Sequence, residues 1–97
     1  MRQYSGKRTI DGIVVTVDGV PLSERFDMQI RDEKGFEWGY EGSAPCQLAL
    51  AILMAHFDDA KRASSQVELF AVSVVANLDN DWTLTSQDID KALNDPK

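Results

Sequence analysis

Ninety-seven residues suffice for one domain and not for two, and 43% hydrophobic with 27% charged residues excludes a disordered chain. The net charge of −6, with lysines and arginines scattered among acids, excludes a surface built to neutralise phosphate, so no direct nucleic-acid binding is expected. The charge is uneven: residues 1–10 carry +3, residues 11–42 carry −5 and residues 43–97 carry −4. A basic partner protein is easier to accommodate than a nucleic acid.

The start of the chain, Met1 to Lys7, lacks the apolar run of a secretory signal. The longest apolar stretch, Leu48 to Ala55, is far short of the roughly 20 residues of a membrane span, so no membrane association is expected. One cysteine, Cys46, cannot form an internal disulfide, which points to a reducing cytoplasm.

Taken in chain order, the first third reads as strands and tight turns. Asp11-Gly12 and Asp18-Gly19 are turn dipeptides, and Ile13 to Val17 between them is β-branched and of strand length. With Thr9 and Ile10 this makes a hairpin, which Pro21 then interrupts. Phe26, Met28 and Ile30 alternate with polar residues, predicting a half-buried strand. Phe36-Glu37-Trp38-Gly39-Tyr40 alternates more clearly, predicting a strand with three aromatics on one face and Glu37, Gly39 and Glu41 opposite.

Ser43 as cap and Pro45 in the first turn open a helix over 43–57 that is apolar nearly all round, and therefore central. After Asp58-Asp59, a second helix carries the stripe Val67, Phe70, Ala71, Val74, Val75 and Leu78. Asn77 to Asp81 is a polar turn and Trp82 to Leu84 a short extended segment. Thr85-Ser86-Gln87-Asp88 resembles a capping box ahead of a last helix that buries Ile89 and Leu93. The elements predict a single α+β domain over 1–97: a small N-terminal antiparallel sheet of three to four strands packed on two to three helices.

Few residues invite chemistry. His56 has no second histidine or cysteine pair to join it, and Cys46 precedes an apolar helix, so both read as structural. Gly39, Gly42 and Ser43 match neither known phosphate-loop spacing. Asn77, Asp79, Asp81 and Asp88 imitate a calcium loop, but Trp82 stands where glycine is needed and Asp88 is shorter than the usual glutamate. Thus no catalytic residue, metal site or cofactor is assigned. The interface candidates are Glu24, Asp27, Asp32, Glu33, Glu37, Trp38, Tyr40 and Glu41: acids for a basic partner, and aromatics that serve either as core or as anchors.

The run Gly35 to Leu53, GFEWGYEGSAPCQLALAIL, is similar to the signature of an uncharacterised family of small domains found in bacteria, phages and mobile elements. Val14 to Leu22 and Trp82 to Ile89 extend the resemblance over most of the chain. Ala44 and Cys46 depart mildly from the family's usual Gly and Ala. The resemblance implies no activity but does imply a setting in which small acidic proteins inhibit host defence. The expected function is therefore a non-catalytic, cytoplasmic protein-binding module. Its sharpest version is an anti-CRISPR-like inhibitor blocking a nucleic-acid-binding surface; the alternative is a small-ligand or calcium-binding module.

Overall fold

Two tight turns build the sheet. In this computed structural model, which describes residues 2–93, β1 (Gln3–Thr9) and β2 (Gly12–Val17) are joined through Ile10-Asp11, with Thr9 opposite Gly12. β2 returns into β3 (Val20–Pro21) through Asp18-Gly19, whose φ values of 52° and 83° are the two positive angles of a type I′ turn. β4 (Trp82–Thr85) lies antiparallel on the other side of β1, so the order is β3-β2-β1-β4.

Residues directly opposite one another share a face. One face carries Tyr4 with Val17 and Leu84, then Gly6 with Val15 and Trp82, then Arg8 with Ile13; it looks inward. The other carries Ser5, Lys7, Thr16 and Thr83, and the Ser5 and Thr16 hydroxyls bond across strands at 3.0 Å. This is the apolar-in, polar-out pattern of a sheet with one wet side.

Against the inner face packs α1 (Ser43–Phe57), and on its far side α2 (Ala60–Ser73). Helix α1 is buried continuously from Leu48 to Met54 because it is the middle layer, which explains why its apolar residues form no stripe. Asp59 caps α2 by accepting from the Lys61 and Arg62 amides. The predicted capping box is formed: Thr85 Oγ1 accepts from the Asp88 amide and Asp88 accepts from the Thr85 amide, ahead of α3 (Ser86–Ala92). Ile89 is fully buried and Leu93 partly so. No helix among the described residues is long and apolar enough to cross a membrane.

Several expectations are corrected. Neither Phe26–Ile30 nor Phe36–Tyr40 is a strand; residues 22–42 form one long irregular segment. Gly39, inside the second run, has φ of 88°, and Arg25 and Gly35, just ahead of the two runs, have 60° and 103°, angles that turn the chain out of an extended path, and β4 takes the place beside β1. Ser43 does not cap α1: Gly42 holds that position, and the Ser43 hydroxyl donates to Asp32 at 2.8 Å instead. The stripe through Leu78 is real, but α2 ends at Ser73, and Val75–Asn77 tighten into a 3₁₀ turn that keeps Val75 in the core.

The Trp82 indole lies across the backbone of Gly6, its partner in the adjacent strand, and a Cβ at residue 6 would fall 2.5–2.6 Å from the ring. Trp82 is itself packed edge-on against Trp38, with centroids 5.6 Å apart, so it has nowhere to retreat. Gly6→Ala is expected to lose about 1–3 kcal/mol in urea denaturation. The loss should shrink when Trp82→Leu is already present; an equal loss in both backgrounds would show that the clash is not the cause.

Candidate binding groove

The feature that best suits a ligand is a groove of about 510 Å³ between the outer edge of β2 and the irregular segment. Gly12 to Val15 make one wall, Lys34, Phe36 and Glu37 the other, with Pro21, Leu22 and Glu24 completing the lining. Ile13, Val15, Leu22 and Phe36 make it apolar, and Glu24 and Lys34 are charged residues of its lining. A second depression, about 660 Å³, around Arg8, Trp38, Tyr40 and Asp79 to Asp81 is more open and more polar, and its one base is already engaged.

Two side chains hold the far wall in place. Gln47, on α1, is fully buried, and its amide makes four hydrogen bonds to the irregular segment. Its Oε1 accepts from the Arg31 and Asp32 amides at 2.6 and 3.1 Å, and its Nε2 donates to the Glu24 and Gln29 carbonyls at 2.6 and 3.1 Å. That is the full capacity of a carboxamide. Arg8, at the end of the inner sheet face, pairs with Glu37 at 2.6 Å, donates to the Trp38 carbonyl at 3.0 Å and to Asn80 at 3.1 Å, and lies 4.6 Å over the Trp38 ring.

The eight interface candidates are dispersed. Trp38 is 1% exposed and donates its indole N–H to the Asp79 carbonyl at 2.8 Å, so it belongs to the core. Phe36 is half-buried, and Tyr40 is 50% exposed, its ring lying across Gly42. The three aromatics do not share a face, because the backbone that would have aligned them is not extended. Asp27 is paired with Arg25, Glu37 with Arg8, and Asp32 with Ser43 and the Lys34 amide. Glu24 lines the groove, while Glu33 and Glu41 are exposed.

The remaining motifs are spent on structure. His56 contacts Asp90 at 2.7 Å, tying α1 to α3. Cys46 is half-buried, and burial pushes its thiol up from the ordinary value, away from the reactive thiolate. Of the calcium-like residues, Asn77 donates to the Val72 and Ser73 carbonyls and Asp88 serves the capping box, so the four do not converge. Among the described residues, no group of three or more acids, histidines or cysteines is placed to hold a metal ion.

Sequence reasoning overlooked Gln47, Arg8 and the groove residues Ile13, Val15, Leu22 and Lys34, although it singled out Phe36. Gln47 had a visible signal: it is the one strongly polar residue between Ala44 and Ala55 in an otherwise apolar helix. Such a residue in a buried helix must find partners.

Replacing Gln47 by Met keeps the volume but leaves two amides and two carbonyls unpaired. A loss of about 3 kcal/mol is expected, limited by the cost of releasing the segment to water, with faster hydrogen exchange at Arg31 and Asp32. Unchanged exchange there would contradict the clamp. Asp32 offers a pH test: the Lys34 amide first, then the Ser43 hydroxyl, hold its carboxyl below the ordinary 3.8. Its contribution is complete above pH 3.8 and vanishes as pH falls through the depressed native value. The stability difference between wild type and Asp32→Asn should therefore close on acidification; a constant difference would exclude this origin.

Comparison with protein-family models matches residues 4–95 to a family described as Family of unknown function (DUF6166). No curated protein and no solved structure matches the chain. With nearly its whole length covered, the chain belongs to DUF6166, the uncharacterised small-domain family that its central motif resembles.

Proposed function

We propose that this domain is a non-catalytic protein-binding module that presents the groove beside β2 to a partner. The observation that carries the reading is the groove itself: apolar inside, charged at Glu24 and Lys34, and backed by a wall held by the Gln47 and Arg8 clamps. Its volume lies within the roughly 300–1,000 Å³ of ordinary ligand sites. The residues best able to do acid–base or nucleophilic chemistry are otherwise engaged, His56 with Asp90 and Cys46 in partial burial. A half-buried unpaired thiol also suits a reducing cytoplasm.

The finer reading is an anti-CRISPR-like inhibitor of the mobile-element type, occupying a basic, nucleic-acid-gripping surface of a defence complex. It draws support from Glu24, Glu33 and Glu41, carboxylates without an ion-pair partner among the described residues, on a chain of net charge −6.

The test compares partner capture by wild type, by the groove variant Glu24→Lys/Lys34→Glu, and by Val72→Lys on the exposed side of α2, all matched for melting temperature. The groove variant should bind at least about tenfold more weakly, a change of about 1.4 kcal/mol, while Val72→Lys binds normally. Loss in Val72→Lys alone would move the site to α2. For the finer reading, the triple reversal at Glu24, Glu33 and Glu41 should abolish binding to purified CRISPR surveillance complexes at low salt, and retained binding would sink it.

A further inference from the structure

Hairpin register determines which backbone groups of β2 face the groove. Thr9 and Gly12 flank a two-residue turn and are a hydrogen-bonded pair, so Gly12, Val14 and Thr16 turn their amides and carbonyls toward β1. The Asp18 amide donating to the Gln3 carbonyl at 2.8 Å continues the same alternation. Ile13, Val15 and Val17 therefore face the opposite side. Val17 pairs with Val20, and the Val15 carbonyl accepts from the Leu22 amide at 3.0 Å. There β3 stops after two residues and the chain leaves the sheet. Ile13 is left with both its N–H and its C=O aimed at the groove, and neither has a partner among the described residues.

We propose that the groove accepts a single extended peptide segment of a partner protein, which adds to the sheet where β3 would have continued and exchanges both backbone hydrogen bonds with Ile13. The inference rests on the reading of the groove given above and names the chemistry of its occupant. Strand neighbours sit about 4.8 Å apart, so an added strand runs along the β2 edge in the groove that Lys34, Phe36 and Glu37 also line. A second copy of this chain is disfavoured as the occupant because two chains of −6 repel.

Side-chain chemistry follows from the lining. The residue opposite Ile13 presents an apolar side chain to Ile13, Leu22 and Phe36, in keeping with the inner-face position of Ile13. The free carboxylate of Glu24, with Glu33 exposed nearby in sequence, favours lysine or arginine flanking that residue.

The experiment selects binders to the intact wild-type domain from a displayed random peptide library. The best binder is then synthesised unmodified, with one backbone N-methyl group at each position in turn, and with its bases changed to glutamate. Methylation at one position should weaken binding about tenfold, methylation at its neighbours should not, and the glutamate version should bind more weakly. Hydrogen exchange at the Ile13 amide should slow on binding, while Val14, already paired with β1, stays unchanged.

Equal affinity of all methylated peptides, with Ile13 exchange unaltered, would overturn strand addition while leaving a groove that reads side chains. Selection of no peptide, or of peptides indifferent to Glu24→Lys/Lys34→Glu, would overturn both readings. Slowed Ile13 exchange that appears instead with rising protein concentration, without peptide, would assign the edge to a second copy and overturn the proposal.

Discussion

The four hydrogen bonds of the Gln47 side chain are the constraint on which the arrangement of this molecule depends. Twenty-one residues, from Leu22 to Gly42, pass between the sheet and α1 without regular structure. Backbone groups in such a segment have no ladder or helix to satisfy them, and burying them unpaired costs about 1–3 kcal/mol each. One carboxamide, projecting from the most buried helix, supplies two donors and two acceptors at the places where the segment comes closest. A buried polar group is a liability alone and a specific fastener when fully paired, because slipping the segment by one residue would break all four bonds. Arg8 fastens the other end from the sheet, by charge on Glu37 and by stacking on Trp38.

With the segment held, the layers follow. Helix α1 can be apolar on every side because the sheet, α2 and the segment surround it. The chain leaves the sheet after Leu22 to enter the segment, and the cost falls on β2, whose outer edge is covered only near Val15 and Val17. Exposed edges invite pairing, and proteins usually shorten or block them. Here the short β3 with Pro21 blocks one part, and the wall at Lys34 to Glu37 restricts what can approach the rest.

The acidic character of the chain also takes on a different meaning in three dimensions. Many of its carboxylates serve local structure. Asp59 and Asp88 cap helices, Asp18 accepts from the Gln3 amide, Asp32 braces the segment against Ser43, and Asp27, Glu37, Glu68 and Asp90 contact bases or His56. Surface pairs of this kind contribute little individually, about 0–1 kcal/mol, but they take the acids out of any continuous negative face. What remains at the groove is a small, mixed arrangement around Glu24 and Lys34.

Local chemistry was legible in the residues themselves. The first hairpin, whose turn falls at Ile10-Asp11, one residue before the expected Asp11-Gly12, the turn at Asp18-Gly19, the helix 43–57, the capping box at Thr85 and Asp88 and the central place of the apolar helix depend on neighbours within four positions or on composition. Family membership was equally visible in the run from Gly35 to Leu53. Alternation at Phe36, Trp38 and Tyr40 misled because period two reports a strand only if a partner strand is available, and β4, drawn from residues 82–85, filled that place. Trp38 went inward because Asp79 and Trp82, more than forty positions away, offered it an acceptor and an edge. The groove, the open amide of Ile13 and the engagement of Gln47 are likewise products of contacts distant in sequence. Short-range preferences are written in adjacent residues; pairings across the fold exist only once the chain has closed on itself, and they decided where the groove lies.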